Sequence, residues 1–213
     1  MTNSSTVGIV IALIIGAVGG YLISGVRSSS SNGASMKASE SATTQKNSEA
    51  QSTPPKTNEE KIANAMSAAL DNVSKDATIL DWPPAEGKEF VSLRKGSNGW
   101  TCLPDDPTTP GNDPVCVDGE AMKFFGAWMS KTKPKLAQAG IGYMLQGGAT
   151  ASNDDPFATT PKAGEDWMHA PPHLMVFPVT PPDPKVYGTS PDSGGPWVMW
   201  PNTPYAHLMI PVK

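Results

Sequence analysis

The chain opens with an unbroken apolar run and ends in a mosaic of short apolar segments, and the two patterns predict different structures. Residues Val7 to Val26 carry no charge, and a helix of that length spans about 30 Å, the thickness of a bilayer core. This predicts a membrane helix within an N-terminal anchor covering 1–27, with Gly16 and Gly20 spaced for helix contact. A cleaved signal peptide is the alternative, but residues 1–6 hold no Lys or Arg and no lipobox cysteine follows. Residues 28–56 are Ser, Thr, Ala, Gln, Asn and Lys with almost nothing to bury, which predicts a disordered tether. Over 57–74 periodicity returns. Ile62, Met66, Ala69, Leu70 and Val73 recur at three- and four-residue intervals behind Asn58, Glu59 and Glu60, predicting an amphipathic helix. It serves either as a lid on the following domain or as a partner-binding helix.

From 75 to 213 the pattern is short apolar pieces bounded by Gly and Pro: 77–82, 89–94, 100–103, 140–146, 173–179, 196–200 and 207–212. The Lys95 to Gly99 connection contains Asn-Gly, which readily adopts the positive φ of hairpin turns, so 89–94 and 100–103 are expected to pair. One helix stands out after Asp118, with Ala121, Met122, Phe125, Trp128 and Met129 as its apolar stripe and Pro134 as its stop. The expected fold class is α+β: an antiparallel sheet with one main packed helix, rich in loops and proline.

Composition sharpens this picture. All six tryptophans, both cysteines, the three histidines and 20 of the 22 prolines follow residue 81, so the core lies in 75–213. That much proline and glycine excludes a helical bundle. A net charge of −4, with ten basic against fifteen acidic residues between 76 and 213, supplies no basic footprint for nucleic acid. Expected partners are the lipid bilayer through 7–26 and an envelope protein or small ligand. Arg27, Lys37 and Lys46 favour a cytoplasmic C-terminal side, but long polar domains translocate against such a bias. The expected location is therefore the inner membrane, single-pass, with a periplasmic or otherwise extracytoplasmic C-terminal domain.

Cys102 and Cys116 are an even pair in a chain that reads as exported, which predicts a disulfide. A reactive thiol or a metal pair is the alternative, but no histidine lies near either in sequence. Two stretches look alike, Asp166 to Val176 and Pro196 to Ile210; each places a tryptophan ahead of a proline and ends in His-Leu-Met before a β-branched residue. On a strand, His173 shares a face with Met175 and His207 with Met209. If the strands adjoin, these four soft ligands suit Cu(I), with Met168, His169 and Met199 as accessory ligands. The plain reading is that these methionines fill core and the histidines are hydrogen-bonded there, and no other cofactor is implied. Asp105, Asp106 and Asp113 read as turn formers without calcium-loop spacing. No phosphate loop, nucleophile elbow or zinc-protease motif is present, so no catalytic residue is assigned.

The string Asn98-Gly99-Trp100-Thr101-Cys102, the later Asp113-Pro114-Val115-Cys116 and the paired His-Leu-Met segments resemble a family of bacterial exported proteins with no assigned activity. The resemblance covers about 76–213 and implies an envelope location. The expected function is a non-enzymatic, membrane-tethered binding or accessory domain. The alternatives are a copper-binding envelope protein and a hydrolytic enzyme using His173 or His207.

Overall fold

A capping box starts the helical part of the chain. Thr57 Oγ1 accepts from Glu60 N at 3.1 Å while Glu60 Oε2 accepts from Thr57 N at 2.9 Å, satisfying two orphan donors at once. Helix α1 (Asn58–Met66) follows. The computed structural model describes residues 54–85 and 87–212. The expected anchor at 7–26 and the tether up to 53 lie outside them. Among the described residues no helix is long and apolar enough to cross a membrane.

The expected single helix over 57–74 is two. After Met66 the carbonyl of Ala68 accepts from Leu145 N at 3.0 Å instead of continuing the helical ladder. The chain turns before α2 (Asp71–Ser74), which leaves Leu70 exposed while Ala65, Ala68 and Ala69 are buried. The alanines let α1 lie close on the sheet, as a lid does.

The strands follow as β1 (Thr78–Asp81), β2 (Val91–Arg94), β3 (Thr101–Leu103) and β4 (Val115–Val117). Then come α3 (Gly119–Met129), β5 (Gly140–Met144), β6 (Gly148–Thr150), β7 (Met168–Ala170) and β8 (His173–Phe177). Short helix α4 (Pro184–Tyr187), β9 (Trp197–Met199) and β10 (His207–Pro211) complete the chain. Eight strands form one sheet in the order β2-β1-β3-β4-β5-β8-β10-β9, and β6 pairs with β7 separately. The architecture is α+β with a mixed sheet, and one expectation needs correction. The sheet is not wholly antiparallel, because β1 and β3 run parallel. Helix α3 packs on one face and α1 covers the other.

The parallel pair arises because β2 and β3 do not form the expected hairpin. β1 lies between them, paired with both. The 95–99 connection instead crosses the chain entering β1, with Ser97 N donating to Asp76 O at 2.8 Å and Asn98 Nδ2 to Val73 O at 2.7 Å. The crossing is tight enough that a Cβ at Gly96 would collide with the main chain of Asp76, Ala77 and Thr78. Asn-Gly here serves an over-crossing rather than a two-residue turn.

Alternation sorts the sheet into two faces. One buries Ile79, Cys102 and Cys116 against Ala65, Ala68 and Ala69 of the α1 side, and Cys102 and Cys116 are joined by a disulfide between directly paired positions of β3 and β4. The other carries Leu103, Val115, Val117, Met175, Phe177 and Met209, packed against α3 through Ala121 and Phe124. Asp118 caps α3 by accepting from Ala121 N at 2.8 Å, as its position predicts, and also accepts from Ile141 N at 2.9 Å. That second bond ties the helix start to β5. A Cβ at Gly140 would strike the main chain of Ala121, so the strand tolerates only glycine there.

Candidate functional site

On the α3 face the sheet does not close completely. A cavity of about 430 Å³ lies over β4, β5, β8 and β10, roofed by β6, β7 and the loop between them, and flanked by Phe124, Phe125 and Trp128 of α3. Its size falls within the range of small-ligand pockets. Five methionines line it: Met144, Met168, Met175, Met199 and Met209. Trp82, Trp167, Trp200 and Phe177 complete most of its apolar wall.

The two similar stretches supply its floor. β8 and β10 are antiparallel neighbours with Met175 opposite Met209, so His173, Met175, His207 and Met209 share the face that lines the cavity. Each histidine begins its strand, and antiparallel pairing of two like strands therefore sends the imidazoles to opposite ends. His173 stands opposite Pro211, and His207 lies beside Phe177, with ring centroids 4.9 Å apart. The offset of four residues is about 13 Å along the strand. Of the accessory positions, Met168 and Met199 line the cavity, whereas His169 alternates outward and is exposed, which removes it from any ligand set here.

The likeness of the stretches extends to hydrogen bonding. His173 Nδ1 is 2.6 Å from Pro171 O, and His207 Nδ1 is 2.9 Å from Tyr205 O, in each case the carbonyl two residues upstream. A carbonyl only accepts, so each Nδ1 carries the proton and each Nε2 presents a lone pair. The rings are 1% and 2% exposed. Burial lowers the His173 pKa and pushes that of His207 down to about 4, with a small further lowering of His207 by His173. Both are therefore neutral bases near pH 7. His173 Nε2 is buried with no hydrogen-bond partner, a condition that costs stability unless something fills it. A histidine paired with a carboxylate would favour the hydrolytic alternative; at His173 and His207 the Nδ1–H is donated to a main-chain carbonyl instead.

One end of the cavity is acidic. The β3–β4 loop contributes Asp106, Thr108, Thr109 and Asp113 to the lining. Asp113 is 6% exposed; its carboxylate accepts from Asp106 N at 3.0 Å and from Thr109 Oγ1 at 2.6 Å, while its own N–H donates to Asp105 Oδ1 at 3.0 Å. Burial pushes the Asp113 carboxyl up to about 7; Thr109 and Asp106 pull it back, and the neighbouring Asp105 raises it further. The turn reading of these aspartates missed this role. The signal was alternation: Asp113 and Val115, the first residue of β4, are two apart and both line the cavity.

Trp200 closes the opposite end. Its φ of 53° is left-handed, unusual for so bulky a residue. It is held there by Trp200 N donating to Asn153 O at 2.6 Å and Nε1 donating to Ser152 O at 3.1 Å, and its ring stacks on Trp128 at 5.6 Å. The strain is retained where it shapes the cavity wall. Among the described residues, no three His, Cys, Asp or Glu side chains converge to hold a metal ion. No family model, no curated protein and no solved structure matches the chain.

Proposed function

We propose that this chain is a non-enzymatic small-ligand-binding domain of the cell envelope, held at the membrane by residues 7–26. The observation that carries the binding reading is the cavity with the unpartnered Nε2 of His173 in its wall. An apolar volume of this size with one fixed acceptor complements a small apolar molecule bearing one hydrogen-bond donor. The envelope reading is supported by the uncharged run Val7 to Val26 and by the disulfide, which persists in oxidising compartments.

Indole and indene have nearly the same shape, and only indole has an N–H. Titrated against the full chain in lipid nanodiscs, with empty nanodiscs subtracted, indole should bind about tenfold more tightly than indene, the worth of one hydrogen bond. The preference should vanish in His173→Phe. Failure of both probes to bind the folded protein at millimolar concentration would overturn the reading. For location, a reporter that works only outside the cytoplasm, fused after Lys213, should be active; a silent one beside an active cytoplasmic counterpart would reverse the topology.

A second reading is Cu(I), favoured by Met175 and Met209 standing opposite each other and by imidazoles whose Nδ1–H is held by main-chain carbonyls, the usual outer arrangement of metal-binding histidines. The register supports two thioethers and one imidazole more readily than a set using both histidines. Competition with a Cu(I) chelator tests it: stoichiometric binding lost in Met175→Leu/Met209→Leu supports copper, and no competition retires it.

A further inference from the structure

The hydrogen-bonding capacity of the cavity wall is lopsided. Three of its indole N–H groups are already donated to the main chain: Trp82 to Pro104 O at 2.8 Å, Trp128 to Pro156 O at 2.8 Å and Trp200 to Ser152 O at 3.1 Å. The hydroxyls of Thr108 and Thr109 are spent on the Asp106 and Asp113 carboxylates at 2.7 and 2.6 Å. The Trp167 indole N–H and the Thr159 hydroxyl are the uncommitted donors of the wall; the acceptors it keeps are the Asp113 and Asp106 carboxyls at the acidic end and the buried, unpartnered Nε2 of His173.

These lie at one end of the cavity. β4 runs beside β5, and Met144 of β5 is paired with His173 of β8. A Cβ on Gly148 would touch both the Met144 methyl and Asp113 Cβ, at 3.1 Å from the latter, so one methionine separates the carboxyl from the imidazole row. Among the described residues that line the cavity none is Lys or Arg, and its wall is rich in aromatic side chains. Acceptors and carboxyls complement positive charge carried on N–H donors.

Resting on the cavity-binding reading above, we infer that the ligand is a small organic cation: a protonated amine on an aromatic or branched aliphatic body, its ammonium directed to Asp113 and its body among the methionines and tryptophans. An anionic ligand would bring like charge to Asp106 and Asp113, and a neutral apolar one would leave the acidic end unmatched. Of the groups around Asp113, the Thr109 hydroxyl and the Asp106 main-chain N–H lower its pKa while Asp105 raises it, all from its own loop. Helix α1 offers the neutral Asn64, which accepts from Asp105 N, and Lys61, which is paired with Asp81. β6 offers only the uncharged Gly148, Ala149 and Thr150. Because Asp113 exchanges its proton near neutrality, a cation that needs its carboxylate binds better as pH rises.

Three probes of one shape decide the matter: 2-phenylethylamine, 2-phenylethanol and phenylacetate, titrated calorimetrically into the full chain in lipid nanodiscs. At pH 8 the amine should bind at least about tenfold more tightly than the alcohol, and phenylacetate more weakly than either. At pH 5.5 the amine should lose most of that advantage while the alcohol is unchanged. Asp113→Asn should bring the amine to the alcohol's affinity; if that variant does not fold, the pH comparison on the unmodified chain decides alone. Equal binding of amine and alcohol at pH 8, or tightest binding of phenylacetate, would overturn the cation assignment and leave the cavity reading standing. No binding of any of the three would overturn both.

Discussion

Asp113 and His207 are both kept neutral by burial, yet their protons drive stability in opposite directions with pH. His207 titrates near 4 when folded against an ordinary 6.5, so between those values the unfolded chain takes up a proton that the folded one refuses. Its stability contribution is complete above pH 6.5 and is lost as pH falls towards 4, a loss of about 3 kcal/mol. His173, lowered for the same reason, acts in the same direction. Asp113 titrates near 7 against an ordinary 3.8, so its contribution is present below 3.8 and is lost as pH rises through 7. The two trends partly cancel in the unmodified protein. Asp113→Asn should expose the histidine trend, with urea-unfolding free energies that fall more steeply from pH 6.5 to 4.5 than those of the parent. Parallel curves for the two proteins would mean that Asp113 is ionised as an ordinary surface carboxylate. The contrast between these residues is also a contrast in legibility. The histidines stand out in the sequence because they sit in repeated apolar strings, where a polar residue asks to be explained. Asp113 precedes proline in a loop full of turn formers, and nothing local distinguishes a buried aspartate from a turn.

Elements with strong local patterns were legible, and those defined by long-range pairing were not. Asp118 followed by the stripe to Met129 marks α3 because cap and periodicity agree. The strands at 140–144, 173–177 and 207–211 show alternation around His-x-Met or Gly-x-Gly and are found where expected. β4, β6 and β7 span three residues each, too few for a period of two to emerge, and they exist because neighbours pair with them. The 57–74 helix is broken by a hydrogen bond from Leu145, 77 positions beyond Ala68, which no local window contains. The misplaced hairpin has the same origin: β1, not the turn, is what β2 and β3 each pair with. Gly96 is the test of that crossing. Its φ is ordinary, so a hairpin connection would accept alanine there. The observed packing predicts that Gly96→Ala costs about 2–4 kcal/mol through overpacking, measured by urea unfolding. Gly119, the first residue of α3 with open space around its would-be Cβ, is the control and should be unchanged or gain up to about 1 kcal/mol on the same change. Equal small changes at both positions would refute the crossing.

At the scale of the whole molecule, the disulfide and the cavity belong to one device. Cys102 and Cys116 join β3 to β4 at the root of the loop that carries Asp105, Asp106 and Asp113, so the bond holds the acidic end of the cavity in place. Both cysteines are fully buried under α1. Cys102→Ser/Cys116→Ser should lower stability by up to about 3 kcal/mol, less the stiffening that the loop's prolines already give the unfolded chain. Thermal unfolding of the variant against the parent checks this, and an unchanged midpoint would place the loop's order elsewhere. The central claim is that the cavity over β8 and β10 binds small apolar molecules, and its methionines offer a direct view of it. Met144, Met168, Met175, Met199 and Met209 line it, while Met66 at the end of α1 packs on the opposite face of the sheet and Met129 is exposed at the end of α3. With ¹³C-methyl methionine incorporated into the full chain in nanodiscs, titration with indole should shift the five cavity methyls together and leave Met66 and Met129 in place. Shifts confined to Met66 or Met129, or none at saturating indole, would contradict the account.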